Sequence, residues 1–284
     1  MRWNGSIIGK HMPPSVGNNS GVYDIQSAGF YHKDNKWSNT ALAGWDPASM
    51  GTDLQMWYDF SDSSVITESD GIVSRVEDKG PRNMELTVFP GSTGPSVSAS
   101  TINGVNVLHF DGDNLYNVVD ANEELTHSTT NPFYLTTMFQ IVTMKYQFFW
   151  ALRSSTQNPR ITLRTSTGQL EVLGSSGQNH SHVSVGEPFI FTVKMAETEC
   201  QTYLNGTLGD NQFSLPRTIM NDLHIGTNEQ DSQYADALYG DFMIYRGDDT
   251  TRKQVDGYLA HKWGLASDLP DGHPYKTSAP NQSV

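Results

Sequence analysis

A chain of 284 residues with 31 acidic and 18 basic side chains carries a formal charge of −13. That balance excludes sequence-independent nucleic-acid binding, which needs clustered lysine and arginine, and docking on an anionic membrane surface. A single cysteine, Cys200, excludes an intrachain disulfide, and the chain has no apolar run of the roughly 18 residues a membrane helix requires.

Residues 1–45 stand apart from the rest. Arg2, Lys10, Lys33 and Lys36 outnumber Asp24 and Asp34, so the acidity belongs to residues 46–284. Short apolar pieces (Ile7-Ile8, Val22-Tyr23, Phe30-Tyr31) lie among Gly, Ser, Asn and Pro, too sparse for a core of their own. The aromatics Trp3, Tyr23, Phe30, Tyr31 and Trp37 favour an arm that orders on a partner protein over a purely solvated tail. The beginning of the chain lacks a signal-peptide apolar region, so synthesis in a cytoplasm without ordinary secretion is expected.

Strand signals run through the remainder of the chain. Leu54 to Phe60 reads as a strand, and Gly71 to Val76 and Met84 to Phe89 come after it, across the turn-rich Asp78 to Asn83. Thr101 to Phe110 enters a strand through Asn103-Gly104. Pro132 to Leu152, the most hydrophobic stretch, divides into two strands around Thr143 to Lys145. Arg160 to Arg164, Gln169 to Leu173 and Pro188 to Met195 come next, the last with Phe189, Phe191 and Val193 alternating as on a half-buried strand. Cys200 alternates with Thr202 and Leu204 and reads as a small buried hydrophobe. Asn205-Gly206 signals a hairpin. Asp222 to Gly226 and Leu238 to Tyr245 complete about twelve to fourteen strands, a spacing typical of an all-β sandwich.

One helix closes the series. Asp248-Asp249 suits its N-cap, Val255, Tyr258, Leu259 and Leu265 its apolar face with Trp263 beside it, and Gly264 its C′ position. His273-Pro274-Tyr275 then packs the tail back onto the sandwich.

Three segments together resemble the concanavalin A-like lectin/glucanase superfamily in its laminin-G-like branch. They are LQMWYDFSDSSVITESDGIVSRVEDKGPRNMELTV (54–88), TINGVNVLHFDGDNLY (101–116) and the closing GDFMIYR, VDGYLAHKWGL and HPY, covering roughly 46–275. The resemblance implies an antiparallel jelly-roll β-sandwich over residues 46–284, with the helix against one edge. Residues 1–45 resemble a short opening found on bacteriophage tail-fibre and other virion proteins, carried by Gly5, Ile7, Ile8, Gly9, Lys10, Pro13 or Pro14, Ser20, Gly21, Val22 and Tyr23. Tyr23 stands where Trp is more usual, and no clear Trp-Pro comes after it. This second resemblance implies a virion-anchoring arm that uses Trp3, Ile7, Ile8, Lys10, Val22 and Tyr23 to hold other virion structural proteins.

Chemistry is sparse. Glucanases of the superfamily commonly carry Glu-x-Asp-x-x-Glu on one strand, which points two carboxylates to one face. Glu68-Ser69-Asp70 and Glu229-Gln230-Asp231 lack the second Glu and read as solvated turns, so no catalysis is expected. Laminin-G-like domains often hold calcium at the rim through oxygen ligands, which makes Asp111 and Asp113 with Asp210 the metal candidates, Asp231 being another loop acid in reach. His180 and His182 lack a third zinc ligand. Arg246-Gly247-Asp248 spells the integrin tripeptide, yet a strand-to-cap junction accounts for it. Loops containing Asn179, His180 and His182, and Asn228 and Tyr234, offer polar and aromatic groups for a glycan. The expectation is a virion protein, a tail fibre or a head fibre or decoration, that displays a lectin-like sandwich to a host-surface polysaccharide. A homo-oligomer is compatible with a fibre, although no heptads support one. A purely structural decoration and a polysaccharide-degrading enzyme are the alternatives.

Overall fold

The computed structural model describes residues 45–112, 115–118, 125–126, 132–153, 160–165, 168–173, 177–196, 200–209, 219–220, 222–227 and 233–281. The strands are β1 (Leu54–Asp59), β2 (Ile66–Ser69), β3 (Ile72–Val76), β4 (Leu86–Thr87), β5 (Ser96–Ile102), β6 (Val105–Asp111) and β7 (Leu115–Val118). They continue with β8 (Leu125–Thr126), β9 (Phe133–Ile141), β10 (Gln147–Arg153), β11 (Arg160–Thr165), β12 (Gln169–Leu173), β13 (Gly177–His182) and β14 (Pro188–Met195). The last are β15 (Gln201–Leu204), β16 (Thr207–Leu208), β17 (Ile219–Met220), β18 (Asp222–Ile225) and β19 (Asp236–Arg246), with one α-helix after them, α1 (Asp249–Lys262).

Every strand pairing is antiparallel, and apart from the separate two-stranded β8–β17 ladder the strands form two layers. One layer runs β1-β19-β9-β14-β15-β16. Along one edge of β19, β6 pairs with Asp236 to Tyr239 and β1 takes over at Asp241 to Tyr245. The other layer runs β13-β12-β11-β10-β18-β7-β4-β3-β2, and β5 links β6 to β3. This is the antiparallel jelly-roll sandwich expected for residues 46–284.

Between the layers lies an aromatic core: Tyr58, Phe60, Phe139, Phe149, Trp150, Phe191, Tyr239 and Phe242 are each almost wholly buried. The first layer also buries its outer face. On β9 the odd positions Phe133, Leu135 and Phe139 point inward, while Tyr134 and Met138 join a second cluster outside. On β19 Phe242 and Ile244 alternate with Met243 and Tyr245 in the same way. Strands apolar on both faces need a cover on each, and α1 supplies the outer one through Val255, Tyr258 and Leu259.

The helix therefore lies across the outer face of the central strands, not against the sandwich edge as the resemblance implies. Its ends are as the sequence indicates. Asp248 caps it by accepting from the Thr251 N–H at 2.9 Å, and Gly264 turns the chain away at φ +69°. Asn103, in the β5–β6 hairpin turn, adds a side-chain bond to the Trp263 carbonyl (2.5 Å). The tail packs on the helix: a Cβ at Gly257 would stand 2.5 Å from Tyr275. Trp45 meets Tyr258 edge-on at 6.1 Å and is buried. The anchoring residues Trp3, Ile7, Ile8, Lys10, Val22 and Tyr23 lie outside the described residues.

Candidate functional site

Where α1 begins, its cover stops. Beyond Asp248 the outer face of β9, β14 and β15 opens into a groove of about 620 Å³. Its floor comes from strand register. Tyr134 on β9 pairs with Lys194 on β14, and Lys194 pairs with Gln201 on β15. Directly paired residues project from one face of a sheet, so these three side chains form a row. Tyr203 sits farther along β15, the turn residue Gly206 and Leu208 close the far side, and Gly247 to Asp249 with Arg252 and Lys253 form the helix wall.

The wall is electrostatically tied. Arg252 is 3% exposed and stands 3.9 Å over the Tyr203 ring. It donates to Asp249 at 2.8 Å and, by a very short contact, to Asp256. Burial lifts the Asp256 carboxyl to about 6, although Arg252 and the Thr192 hydroxyl favour its charged form. Asp249 also pairs with Lys253 at 2.7 Å. Two groups remain uncommitted. Lys194 makes no ion pair or hydrogen bond among the described residues. Tyr134 is 2% exposed, stacks on Tyr245 at 5.4 Å, and its hydroxyl has no hydrogen-bond partner among the described residues. Burial raises the Tyr134 phenol pKa well above its ordinary value, so the group remains a donor across the physiological range.

The far end of α1 is held by a different network. Asp241, fully buried, accepts from the indole N–H groups of Trp57 (2.9 Å) and Trp263 (2.7 Å) and from Lys262 (2.8 Å). Lys262 also donates to Asp59 at 2.7 Å, and Lys79 reaches Asp59 at 3.2 Å and Asp62 at 2.9 Å. Burial pushes Asp59 up, but Lys262 and Lys79 outweigh it and bring its carboxyl below the usual range. These two acids share one lysine, yet they lie sealed beneath it and two indoles. They fasten helix to sheet.

A second cavity, about 410 Å³, opens over Phe60, Val107 and Leu108 with Ser61, Glu68 and Asn106 at its rim. Glu68 lies on β2, not in the turn that its Ser-Asp context suggests. The turn is Asp70-Gly71, where both residues have positive φ, and the Glu68 carboxylate accepts from the Gly71 N–H at 2.8 Å. Glu229 and Asp231 lie outside the described residues.

Of the sequence-derived candidates whose side chains are described, Asp111, His182 and Tyr234 line neither cavity. Asn179, His180 and His182 belong to β13, a strand at the edge of the second layer and not a loop. Asn179 is in register with Glu171, which receives a 2.6 Å bond from Arg164, and Arg164 is in register with Phe148. The half-exposed Tyr146 completes this surface with a 2.5 Å bond from Arg164. Tyr234 bridges Thr227, just past β18. Four strand steps, roughly 19 Å at the usual spacing, separate β13 from β18, beside which Tyr234 sits. Asn228 lies outside the described residues.

Asp111 ends β6 exposed, while Asp113 and Asp210, expected to share calcium with it, lie outside the described residues. Among the described residues no three His, Cys, Asp or Glu side chains gather. Cys200 is buried, as its alternation indicates, and its thiol donates to the Ala196 carbonyl at 3.2 Å. Arg246-Gly247-Asp248 joins strand to cap.

No family model and no curated protein matches the chain. Solved structures do resemble it. A sialidase of Trypanosoma rangeli superposes with a TM-score of 0.54 at 12% identity, over 84% of this chain and 40% of its own. The binding domain of botulinum neurotoxin serotype D gives 0.52 at 14% identity, over 74% of this chain and 51% of its own. Botulinum neurotoxin type C, whose cell entry depends on interaction with two ganglioside molecules, gives 0.52 at 9% identity, over 75% and 53%. The chain spans between about two fifths and about half the length of these structures. At such identities the likeness shows the fold alone, an antiparallel β-sandwich.

Proposed function

We propose that the chain is a carbohydrate-binding sandwich whose site is the groove beside the N-terminus of α1, and that it holds a glycan without cleaving it. One observation carries this reading. The groove floor presents the hydroxyl of Tyr134, without a partner among the described residues, beside a lysine and a glutamine. Such a convergent polar set orients a polyhydroxylated ligand. The sialidase and the ganglioside-dependent neurotoxin among the similar structures are compatible with it. Asp59 and Asp241, two carboxylates bridged by one ammonium, are committed to Lys262, which supports binding over hydrolysis.

Attachment to a bacteriophage virion through residues 1–45 is proposed on the resemblance of that segment, and a purely structural decoration is the competing reading. A glycan array of host-surface polysaccharides tests the main proposal. Retention of at least one glycan, lost on crowding the groove with Leu208→Trp at an exposed lining position, is expected, and an empty array favours the decoration. Release of reducing ends from any bound polysaccharide would replace binding with catalysis. Deleting residues 1–40 should abolish incorporation into particles, and normal copy number in the deletion would remove the arm as anchor.

A further inference from the structure

We infer that the groove selects acidic glycans, with the Lys194 ammonium and the Tyr134 hydroxyl as paired donors to a sugar carboxylate. This rests on the proposed glycan-binding role of the same groove and names its ligand class.

Most charges lining the groove already have partners. Asp249 is taken up by Arg252 and Lys253. Asp248 accepts from the Thr251 backbone and hydroxyl at 2.9 and 3.2 Å. Arg252 is saturated by Asp249 and Asp256. Lys194 is left as a cation with no counter-charge among the described residues, on a chain whose formal charge is −13. In so acidic a molecule an unmatched, half-buried lysine on a groove floor calls for an external anion.

Geometry narrows the anion. Tyr134 and Lys194 are direct register partners, so their Cβ atoms lie about 5 Å apart on one face. Side chains that leave one face at that spacing can bring a hydroxyl to one oxygen of a carboxylate and an ammonium to the other. Tyr134 keeps its proton because burial disfavours the phenolate, so it donates. The neighbouring Gln201 and Gly206 offer polar and backbone surface to ring hydroxyls. A neutral glycan could occupy the groove but would leave Lys194 unmatched.

The test uses the full chain and isothermal titration with 3′-sialyllactose, tetragalacturonate, the methyl ester of each, and lactose. An acid should bind about tenfold tighter than its own ester, the ratio one charge-assisted hydrogen bond supports. Lys194→Met should remove that preference, so that acid and ester bind alike, and Lys194→Arg should retain it. Which of the two acids binds distinguishes a sialylated from a uronate-bearing source. Equal binding of acid and ester, or a preference that survives Lys194→Met, overturns the inference and leaves the glycan-binding role standing. Failure of acids, esters and lactose alike, with the array also empty, overturns both.

Discussion

Trp263 lies against the backbone of Gly240, so closely that a Cβ at the glycine would stand 2.3 Å from ring carbon Cζ2. Gly240 occupies the point where β6 gives way to β1 along β19, and the register with β9 shifts between Tyr239 and Asp241. A missing side chain at this junction lets the indole reach Asp241, which it contacts at 2.7 Å. Gly240→Ala is expected to destabilise the sandwich by about 1–3 kcal/mol through overpacking. Urea unfolding monitored by tryptophan fluorescence measures this, and an unchanged midpoint would mean that the indole has room to move.

Lys262 bridges Asp59 and Asp241, and removing it leaves a buried carboxylate without its cation. Lys262→Met should cost about 3–5 kcal/mol at pH 7.5. Burial has already lifted Asp241 to about 6 against the pull of Lys262. A folded-state pKa above the unfolded value means that the folded protein binds the extra proton between about pH 4 and 6, and Asp241 loses stabilising power as pH rises through that window. At pH 5 the carboxyl is largely neutral and needs no cation, so the penalty of the substitution should shrink. The same penalty at both pH values would show that Asp241 stays ionised.

His273 titrates with the opposite sign. Burial, then the charges of Arg252 and Lys253, lowers it from 6.5 to about 4. Its Nε2 is buried without a partner among the described residues, and Nδ1 accepts from the Tyr275 N–H at 3.3 Å. Below about pH 6.5 the unfolded chain protonates this ring first, so its contribution fades as pH falls toward 4. His273→Phe should therefore gain about 2 kcal/mol on the wild type between pH 7.5 and pH 5. Parallel denaturation curves at the two pH values decide it, and a constant difference would place the imidazole in contact with solvent.

How far the fold can be read from sequence depends on which signals are local. Gly264, Asn103-Gly104 and Asn205-Gly206 mark their turns because the backbone there takes positive φ, and Asp248 marks the cap because its carboxylate accepts the orphan Thr251 N–H. The strand Gly177–His182 escapes detection because Gln-Asn-His-Ser-His has no apolar phase to alternate. The position of α1 escapes it too: a face-covering helix and an edge helix carry the same apolar stripe. Arg252 pairs with Asp249 and Asp256 at i,i+3 and i,i+4 spacings that are visible in the sequence. That Arg252 and Asp256 are buried is not visible there, because the Tyr203 ring and the Thr192 hydroxyl that meet them come from strands β15 and β14. The groove itself leaves one faint trace. In Pro188 to Met195 the outward phase runs Ile190, Thr192, Lys194, becoming polar just where the helix cover ends.

Tyr134 and Tyr245 stack 5.4 Å apart and nearly parallel, yet their hydroxyls have different duties. The Tyr245 hydroxyl shares a 3.1 Å hydrogen bond with Thr136 inside the outer cluster. The Tyr134 hydroxyl meets no protein group among the described residues, and its residue lines the groove. Removing an oxygen that bonds nothing in the fold should cost less than about 0.5 kcal/mol, whereas losing a buried hydrogen bond should cost about 1 kcal/mol. Tyr134→Phe should thus leave the unfolding midpoint where it is and weaken the bound glycan about fivefold or more. Tyr245→Phe should lower the midpoint and leave glycan affinity nearly intact. If Tyr134→Phe instead destabilises the protein as much as Tyr245→Phe, its hydroxyl serves the fold. If it changes neither quantity, the ligand does not touch that oxygen and the floor of the groove is not the binding surface.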